Sequence, residues 1–315
     1  MALLNNFLTA LGPTLFAMLN LMGVYVILAL SLNMINGMGG MFSIGHAGFW
    51  AVGAYSAGAL IIHSPLSAYP NLTFALAMIV AIVITAIAGL VLSVSCMRLS
   101  GDYLAIATLG FSIIVVNILY NMDYVGAATG MILPVSINRW FVWLMVLVTL
   151  VFYYRVKYSN FGRLVMALRE DEIAAEALGI SRLYYKTLIF ALGAALAGMA
   201  GALYAGFATY LNPTGFEFDQ SIKMLTMVVL GGLGSITGVT FAAMILTLMP
   251  ELLRLVGFED YQMVLFALIL LLMVLMRPQG ILGSKEIWDI PLFSWLAPRT
   301  YINKSLSAAQ NKELP

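Results

Sequence analysis

Few side chains in this sequence could do chemistry, and most of those sit together. ALREDEIAAEALGI, residues 167–180, places Arg169, Glu170, Asp171, Glu172 and Glu176 within one short stretch of a chain that has only 9% charged residues. Elsewhere, His46 has a side chain that can relay protons, or can pack with a single hydrogen bond between helices; both readings are open. His63, beside Ser64 and Pro65, reads as a loop residue. Asp219 and Lys223 lie one helical turn apart and suit a pair on a helix face, worth about 0.3–0.5 kcal/mol, or, together with Glu217, an external partner. Asp102 follows Gly101 and fits a helix N-terminal position. The single cysteine, Cys96, allows no intrachain disulfide and reads as packing. LGGLGSITG (230–238) is glycine-rich but has no lysine for a GxxxxGK[ST] phosphate loop, and Gly232, Gly234 and Gly238 miss the GxGxxG spacing. No carboxylate pair, metal-spaced His/Cys set or nucleophile with a base can be assembled. No catalytic residue, metal site or cofactor bound by this chain is therefore expected.

The elements that carry these residues are set by composition. Hydrophobic residues make up 62% of the chain and mean hydropathy is +0.99, against roughly 45–50% apolar usage in soluble domains. This is an all-α, polytopic membrane protein, and lipid is its first partner. The formal charge of +1 gives no footprint for nucleic acid, and none is expected as a partner. No Lys, Arg, Asp or Glu precedes Arg98, so the start of the chain lacks the basic region of a secretory signal and is expected to be retained as a membrane helix. With about 20 apolar residues needed per crossing, the spans fall at 14–34, 41–62, 72–96, 103–121, 140–154, 187–210, 222–235, 237–256 and 261–276. That is about nine, within a range of eight to ten. The first could begin near Phe7 if Gly12 and Pro13 bend the helix.

Cytoplasmic loops carry the excess of Lys and Arg. Arg155, Lys157, Arg163, Arg169, Arg182 and Lys186 all fall between the fifth and sixth spans, so that loop (155–186) is cytoplasmic. Alternation then puts Arg98, Arg277, Lys285, Arg299, Lys304 and Lys312 inside and leaves Arg139, Lys223 and Arg254 outside, twelve against three. The bias requires 222–235 to cross and sets the N-terminus outside and the C-terminus inside. The charged stretch thus lies in the one long cytoplasmic loop. Its residues favour a helix, with Glu170, Asp171 and Glu172 in the first turn and Gly179 as the stop. Leu168, Ala175 and Leu178, with Ile173 and Ala177 nearby, offer one apolar side. A solvated connecting helix fits this pattern, and so does a docking surface; only docking explains about thirty residues where about 2–8 suffice.

FGRLVMALREDEIAAEALGI (161–180), SIGHAGFWAVGAY (43–55), LSGDYLAIATLGF (99–111), SIKMLTMVVLGGLGSITG (221–238) and RPQGILG (277–283) resemble, in order and spacing, the permease subunits of branched-chain amino acid ABC importers, of the M type. In ABC importers generally this loop carries the motif EAA, three residues, Gly, as a coupling helix seated in a cleft of the ATPase. Ile173, Ala174, Ala175 and Gly179 occupy those positions here, so Ile replaces the first Glu, whose work falls to Glu172 or Glu176. The resemblance implies that Arg169, Glu170, Asp171, Glu172, Ala174, Ala175, Glu176 and Gly179 form the ATPase joint. It also implies one permease domain (1–284), a cytoplasmic tail (285–315), and a bacterial inner-membrane location. The implied partners are a second homologous permease, two cytoplasmic ABC ATPases that hold the ATP and Mg, and an extracytoplasmic binding protein.

Within the membrane, Gly193, Ala197, Gly201 and Ala205 recur every fourth residue, a pattern that lets helix backbones approach closely. Gly39, Gly40, Ser43 and Ile44 match Gly231, Gly232, Ser235 and Ile236 in spacing. The match reads either as a two-half internal repeat or as coincidence. Glycine-broken segments at depth line a cavity or find protein partners, so Gly39, Gly40, Ser43, His46, Gly231, Gly232 and Ser235 are the candidate translocation path. The importer reading competes with an ion-coupled transporter, which needs a buried acid not evident here, and with a membrane-embedded enzyme. Its substrate is expected to be a branched-chain amino acid, or alternatively urea, an amide or another small organic solute. The family's TGGxNG stretch appears here as AATGM (127–131), which keeps Thr129 and Gly130 only.

Overall fold

The computed structural model describes residues 2–64, 69–96, 99, 101–134, 137–256, 261–276, 280, 283 and 286; for 2–17 and several residues of the last two helices it describes the backbone only. Eleven α-helices account for nearly all of this: α1 Ala2–Asn33, α2 His46–His63, α3 Pro70–Cys96, α4 Asp102–Asn121, α5 Arg139–Lys157, α6 Asn160–Glu170, α7 Glu172–Ala177, α8 Arg182–Phe207, α9 Phe218–Gly231, α10 Ile236–Val256 and α11 Gln262–Met276. The protein is all-α and polytopic. Five stretches among the described residues are long and apolar enough to cross a bilayer by themselves: Met18–Met38, Pro70–Cys96, Asp102–Asn121, Trp140–Lys157 and Arg182–Phe207.

Burial sorts these helices into a centre and a shell. The membrane-length stretches ending α1 and within α8 are 78% and 72% buried, whereas that of α3 is only 22% buried. Helices α1, α2 and α8 form the centre, with α3 against α8 and α2, α4 against α2, and α5, α9 and α10 against α1. The outer faces of α3 and α5 carry Ile79, Ile87, Leu144 and Leu147, as a lipid boundary requires. The centre closes by backbone approach. A Cβ on Gly201 of α8 would lie 2.5 Å from Trp50 O and Ala54 N of α2, and one on Gly53 of α2 would lie 2.5 Å from Gly198 Cα. Gly193, Ala197, Gly201 and Ala205 are all buried.

The bounds differ from the sequence expectation where tertiary contacts intervene. The first helix runs through Gly12 and Pro13 from Ala2 and continues into a π-helical turn, Met34–Met38. The second starts at His46, not 41, because residues 39–45 are held out of helix. The seventh begins at Phe218 and stops at Gly231, since Gly232 has φ +108°; its fourteen residues span about 21 Å at 1.5 Å per residue. At the end opposite α6 and α7, a two-stranded antiparallel pair (Met131–Ile132 with Tyr210–Leu211) ties the connections together. Arg98, Arg277, Lys285, Arg299, Lys304 and Lys312 lie outside the described residues, as do the side chains of Arg139 and Arg254.

Gly201→Val inserts volume between two backbones and is expected to cost about 1–3 kcal/mol or more, lowering the folded fraction. Gly110→Ala, with open space around it, should leave that fraction unchanged. Size-exclusion profiles after graded heating compare the two.

Candidate functional site

The charged stretch holds a helix that starts at its acidic run, as the sequence favours, and the residues before that run belong to a separate helix, α6. Asp171 is extended (φ −151°, ψ 107°) and separates α6 from α7, because its carboxylate accepts from Ile173 N at 2.9 Å and Ala174 N at 3.0 Å. An Asp that satisfies two free N–H groups makes a better helix start than a helix interior. At the other end of α7, Gly179 has φ +84° and donates to Glu176 O at 2.9 Å, while Ile180 N donates to Ala175 O at 3.1 Å. This is the expected glycine stop.

The side chains also sort differently from the expectation of one apolar face. Leu168 is fully buried and Ala175 is 4% exposed, while Ile173 and Leu178 are 83% and 82% exposed. Ala174, Ala177 and Glu176 face solvent too. Glu172 turns inward, accepting from Arg182 Nη1 at 2.9 Å and from Lys186 Nζ, which fixes α7 to the first turns of α8. Of the five charges, Glu170 and Glu176 are the ones left outward. Two large apolar side chains standing in water beside two acids are the features of α7 that face away from the protein.

Arg169 points the other way, into the helical body. Its Nη1 donates to Gly37 O, in the π turn that ends the first helix. Its stem fills the space beside Gly40, where a Cβ would meet Arg169 Cγ at 2.8 Å, and the same Nη1 lies 3.2 Å from the Cβ position of Gly234. One side chain of the charged stretch therefore touches both breaks, 37–45 and 232–235.

Those breaks are themselves tied together. Asn33 Oδ1 accepts from Gly234 N at 2.8 Å, and its Nδ2 donates to Ser235 O at 3.0 Å. Lys157 Nζ, at the end of α5, donates to Gly234 O at 2.8 Å and pairs with Glu286 at 2.5 Å. Glu286 accepts from Ile236 N and Thr237 N, both at 3.0 Å, and so caps α10. Asn36 exchanges hydrogen bonds with both the N–H and the C=O of Ser43, and Ile44 N donates to Thr108 Oγ1 at 3.1 Å. Every freed backbone group named here has found a side-chain partner, as depth in a membrane demands.

Of the seven path candidates, Gly39, Ser43, His46, Gly231, Gly232 and Ser235 are buried in this knot or beside it. Gly40 is exposed and lines a small cavity of about 90 Å³ that also touches Glu172, Arg182 and Lys186. His46 is fully buried with Nε2 2.6 Å from Ser31 Oγ, the packing arrangement. Asp219 and Lys223 pair at 3.6 Å, and Asp102 lies in the first turn of α4. Glu286, placed in the tail by a boundary at 284, is folded back and 1% exposed. Sequence reading did not single out Asn33, Asn36, Thr108 and Glu286, and gave Lys157 only the role of a loop charge. A polar amide ending an apolar run, as at Asn33 and Asn36, is the one local signal that could have marked them.

A multi-pass helical body with broken, cross-tied segments beside the α6–α7 projection has the build of a membrane transport protein of the permease type. Residues 14–274 match the family described as branched-chain amino acid transport system, permease component, and the chain belongs to that family. It is 35% identical over 295 residues to the high-affinity branched-chain amino acid transport system permease protein LivM of Salmonella typhimurium, covering 82% of this chain and 68% of that one. It is 27% identical to the probable permease LivM of Methanocaldococcus jannaschii, covering 86% and 93%. Over 132 residues, 42% of each chain, it is 36% identical to the permease protein LivH of Escherichia coli. No solved structure matches it at a significant level.

The Lys157–Glu286 pair is nearly enclosed, and removing one member of such a pair costs about 3–5 kcal/mol. Glu286→Ala should therefore lower the thermal midpoint of the detergent-solubilised protein by a wide margin. Asp219→Asn breaks a partly exposed pair worth about 0.5 kcal/mol or less and should leave the midpoint nearly in place.

Proposed function

We propose that this chain is one permease half of an ATP-driven importer of branched-chain amino acids, working by alternating access in a bacterial inner membrane. The observation that carries this reading is Arg169, which joins the cytoplasmic projection to both broken membrane segments. A push on α7 moves Arg169, and Arg169 bears on the Gly37–Gly40 and Gly234 backbones. ATP and Mg then belong to two ATPase chains docked on Ile173, Leu178, Glu170 and Glu176. The relatives support a transport system with two kinds of permease, since both LivM and LivH are similar to this chain; a heterodimer with a related permease, served by an extracytoplasmic binding protein, is the proposed assembly. Nine crossings, an external N-terminus, an internal tail and a two-half repeat complete the proposed topology. The departure of residues 127–131 from TGGxNG keeps urea and small amides as the competing substrates.

Uptake of leucine, isoleucine and valine into cells that express the whole system should stop on ATP depletion and survive an uncoupler; uptake of urea or amides in their place would replace the substrate, and loss with the uncoupler would remove the importer reading. For topology, a cysteine at the exposed position 160 should label from the cytoplasm and one at 132 from outside.

The coupling residues give a sharper test. Because Ala175 is buried, Ala175→Arg is expected to lower folded yield and not to report coupling alone. Ile173→Glu and Leu178→Glu alter exposed side chains, so membrane insertion should stay near wild type while ATPase copurification and uptake fall about tenfold or more, as for the loss of interface anchors worth ~2 kcal/mol. Unchanged ATPase association in both variants would make α6 and α7 a solvated connector.

A further inference from the structure

A second cavity lies on the far side of the Gly39–Gly45 break from the charged stretch. Its floor and one wall come from successive turns of α4, namely Ser112, Val116 and Tyr120, and the opposite wall from Glu217 and Phe218 at the start of α9. Its volume is about 240 Å³, below the roughly 300–1,000 Å³ of pockets for drug-sized ligands, so its occupant is a small solute. Ser112 lies at the middle of the twenty residues of α4 and Tyr120 near their end. The cavity therefore runs from the end opposite α6 and α7 down to mid-span. One turn further in, Thr108 holds Ile44 N, and a Cβ on Gly45 would strike Thr108 O at 1.7 Å. The break thus lies one turn of α4 below the cavity, outside its lining.

The polar groups there are unusual for such a place. Glu217 Oε1 accepts from Tyr120 OH at 2.9 Å, while its Oε2 has no protein partner among the described residues. Ser112 is 2% exposed, and its hydroxyl likewise has no hydrogen-bond partner among them. Asn117, with its side chain on this same α4 face, adds an amide oxygen and one N–H, since a single one of its two N–H groups is used by Ile113 O at 2.9 Å. Around them stand Ile113, Val116 and Phe218. A carboxylate and an unpaired hydroxyl facing hydrocarbon would be costly, so this face opens to water and solute. A carboxylate beside an apolar wall fits a solute with an ammonium group next to an aliphatic chain.

We propose that this α4–α9 cavity is a binding site for a small aliphatic amino acid, with Glu217 taking the ammonium group, Ser112 and Asn117 hydrogen-bonding its polar end, and Ile113, Val116 and Phe218 covering its side chain. The assignment rests on the importer reading given above and adds the residues that recognise the solute within the membrane. Nothing in the Arg169 knot contributes to it.

The test uses the purified complex of both permeases and both ATPases, without binding protein, and radiolabelled L-leucine in a scintillation proximity assay. Wild type should bind leucine saturably, with 4-methylpentanoate, which lacks the amine, a poor competitor. Glu217→Gln, an isosteric change at an exposed residue, should weaken leucine by about tenfold or more, the scale of a charge-assisted hydrogen bond, and leave binding of the 4-methylpentanoate anion equal or tighter, so that discrimination between the two disappears. Glu217→Asp should recover part of it. Absence of saturable leucine binding to wild type, or an unchanged Glu217→Gln variant, overturns the assignment. ATP-driven leucine uptake by the same complex with its binding protein in proteoliposomes separates the two readings. Uptake without binding overturns the cavity alone, whereas no uptake of any branched-chain amino acid overturns the importer reading and the cavity with it.

Discussion

Backbone polar groups freed from a helix at membrane depth must be satisfied inside the protein, and the α6–α7 end of this molecule is organised around that requirement. Two breaks release N–H and C=O groups at 37–45 and at 232–235. Side chains from four other places answer them: Asn33 and Asn36 from the first helix, Thr108 from α4, Lys157 from α5 and Glu286 from the far end of the described chain. Gly234 shows the density of this arrangement, with its N–H on Asn33, its C=O on Lys157 and the Arg169 guanidinium alongside. A break whose backbone groups are answered in this way can hold one geometry as firmly as a helix does.

Around that knot, the centre depends on a different economy of space. Interhelical attraction in lipid comes from close packing, and the Gly53–Gly198 and Gly201–Trp50 approaches bring the α2 and α8 backbones together. The peripheral helices, by contrast, keep one face for lipid. The central helices therefore hold the knot in place, while α4 and the start of α9, nearer the periphery, retain an open cleft between them.

Much of the fold was legible because hydropathy and length are local properties. Each expected span has a helix, Gly179 ends α7, Asp219 pairs with Lys223, and the four small residues of α8 pack against neighbours. What was not legible depends on contacts across long separations. Residues 39–45 look apolar enough for a helix until Asn36 and Thr108 pull them out of it. The acidic run marks the start of α7 as read, but that Asp171 also ends α6 there was not legible. Ala175 looked available for docking, and packing buries it. Lys157 counted as a topological charge because its carboxylate partner is 129 residues away. For the site, the sequence marked the neighbourhood through its glycines and its charges, and missed the amides and the acid that bind the pieces together.

The Lys157–Glu286 pair also places the knot in time. Synthesis runs from the N-terminus and membrane segments assemble as they emerge, so Lys157 and the free N–H groups of α10 are in the bilayer's reach long before Glu286 has been made. Lys157 precedes its carboxylate partner by 129 residues and Ile236 precedes it by 50, so Glu286 is the last of the three to be made. The junction between α5 and α10 is therefore closed from its C-terminal side, by a residue outside both helices, after both already exist.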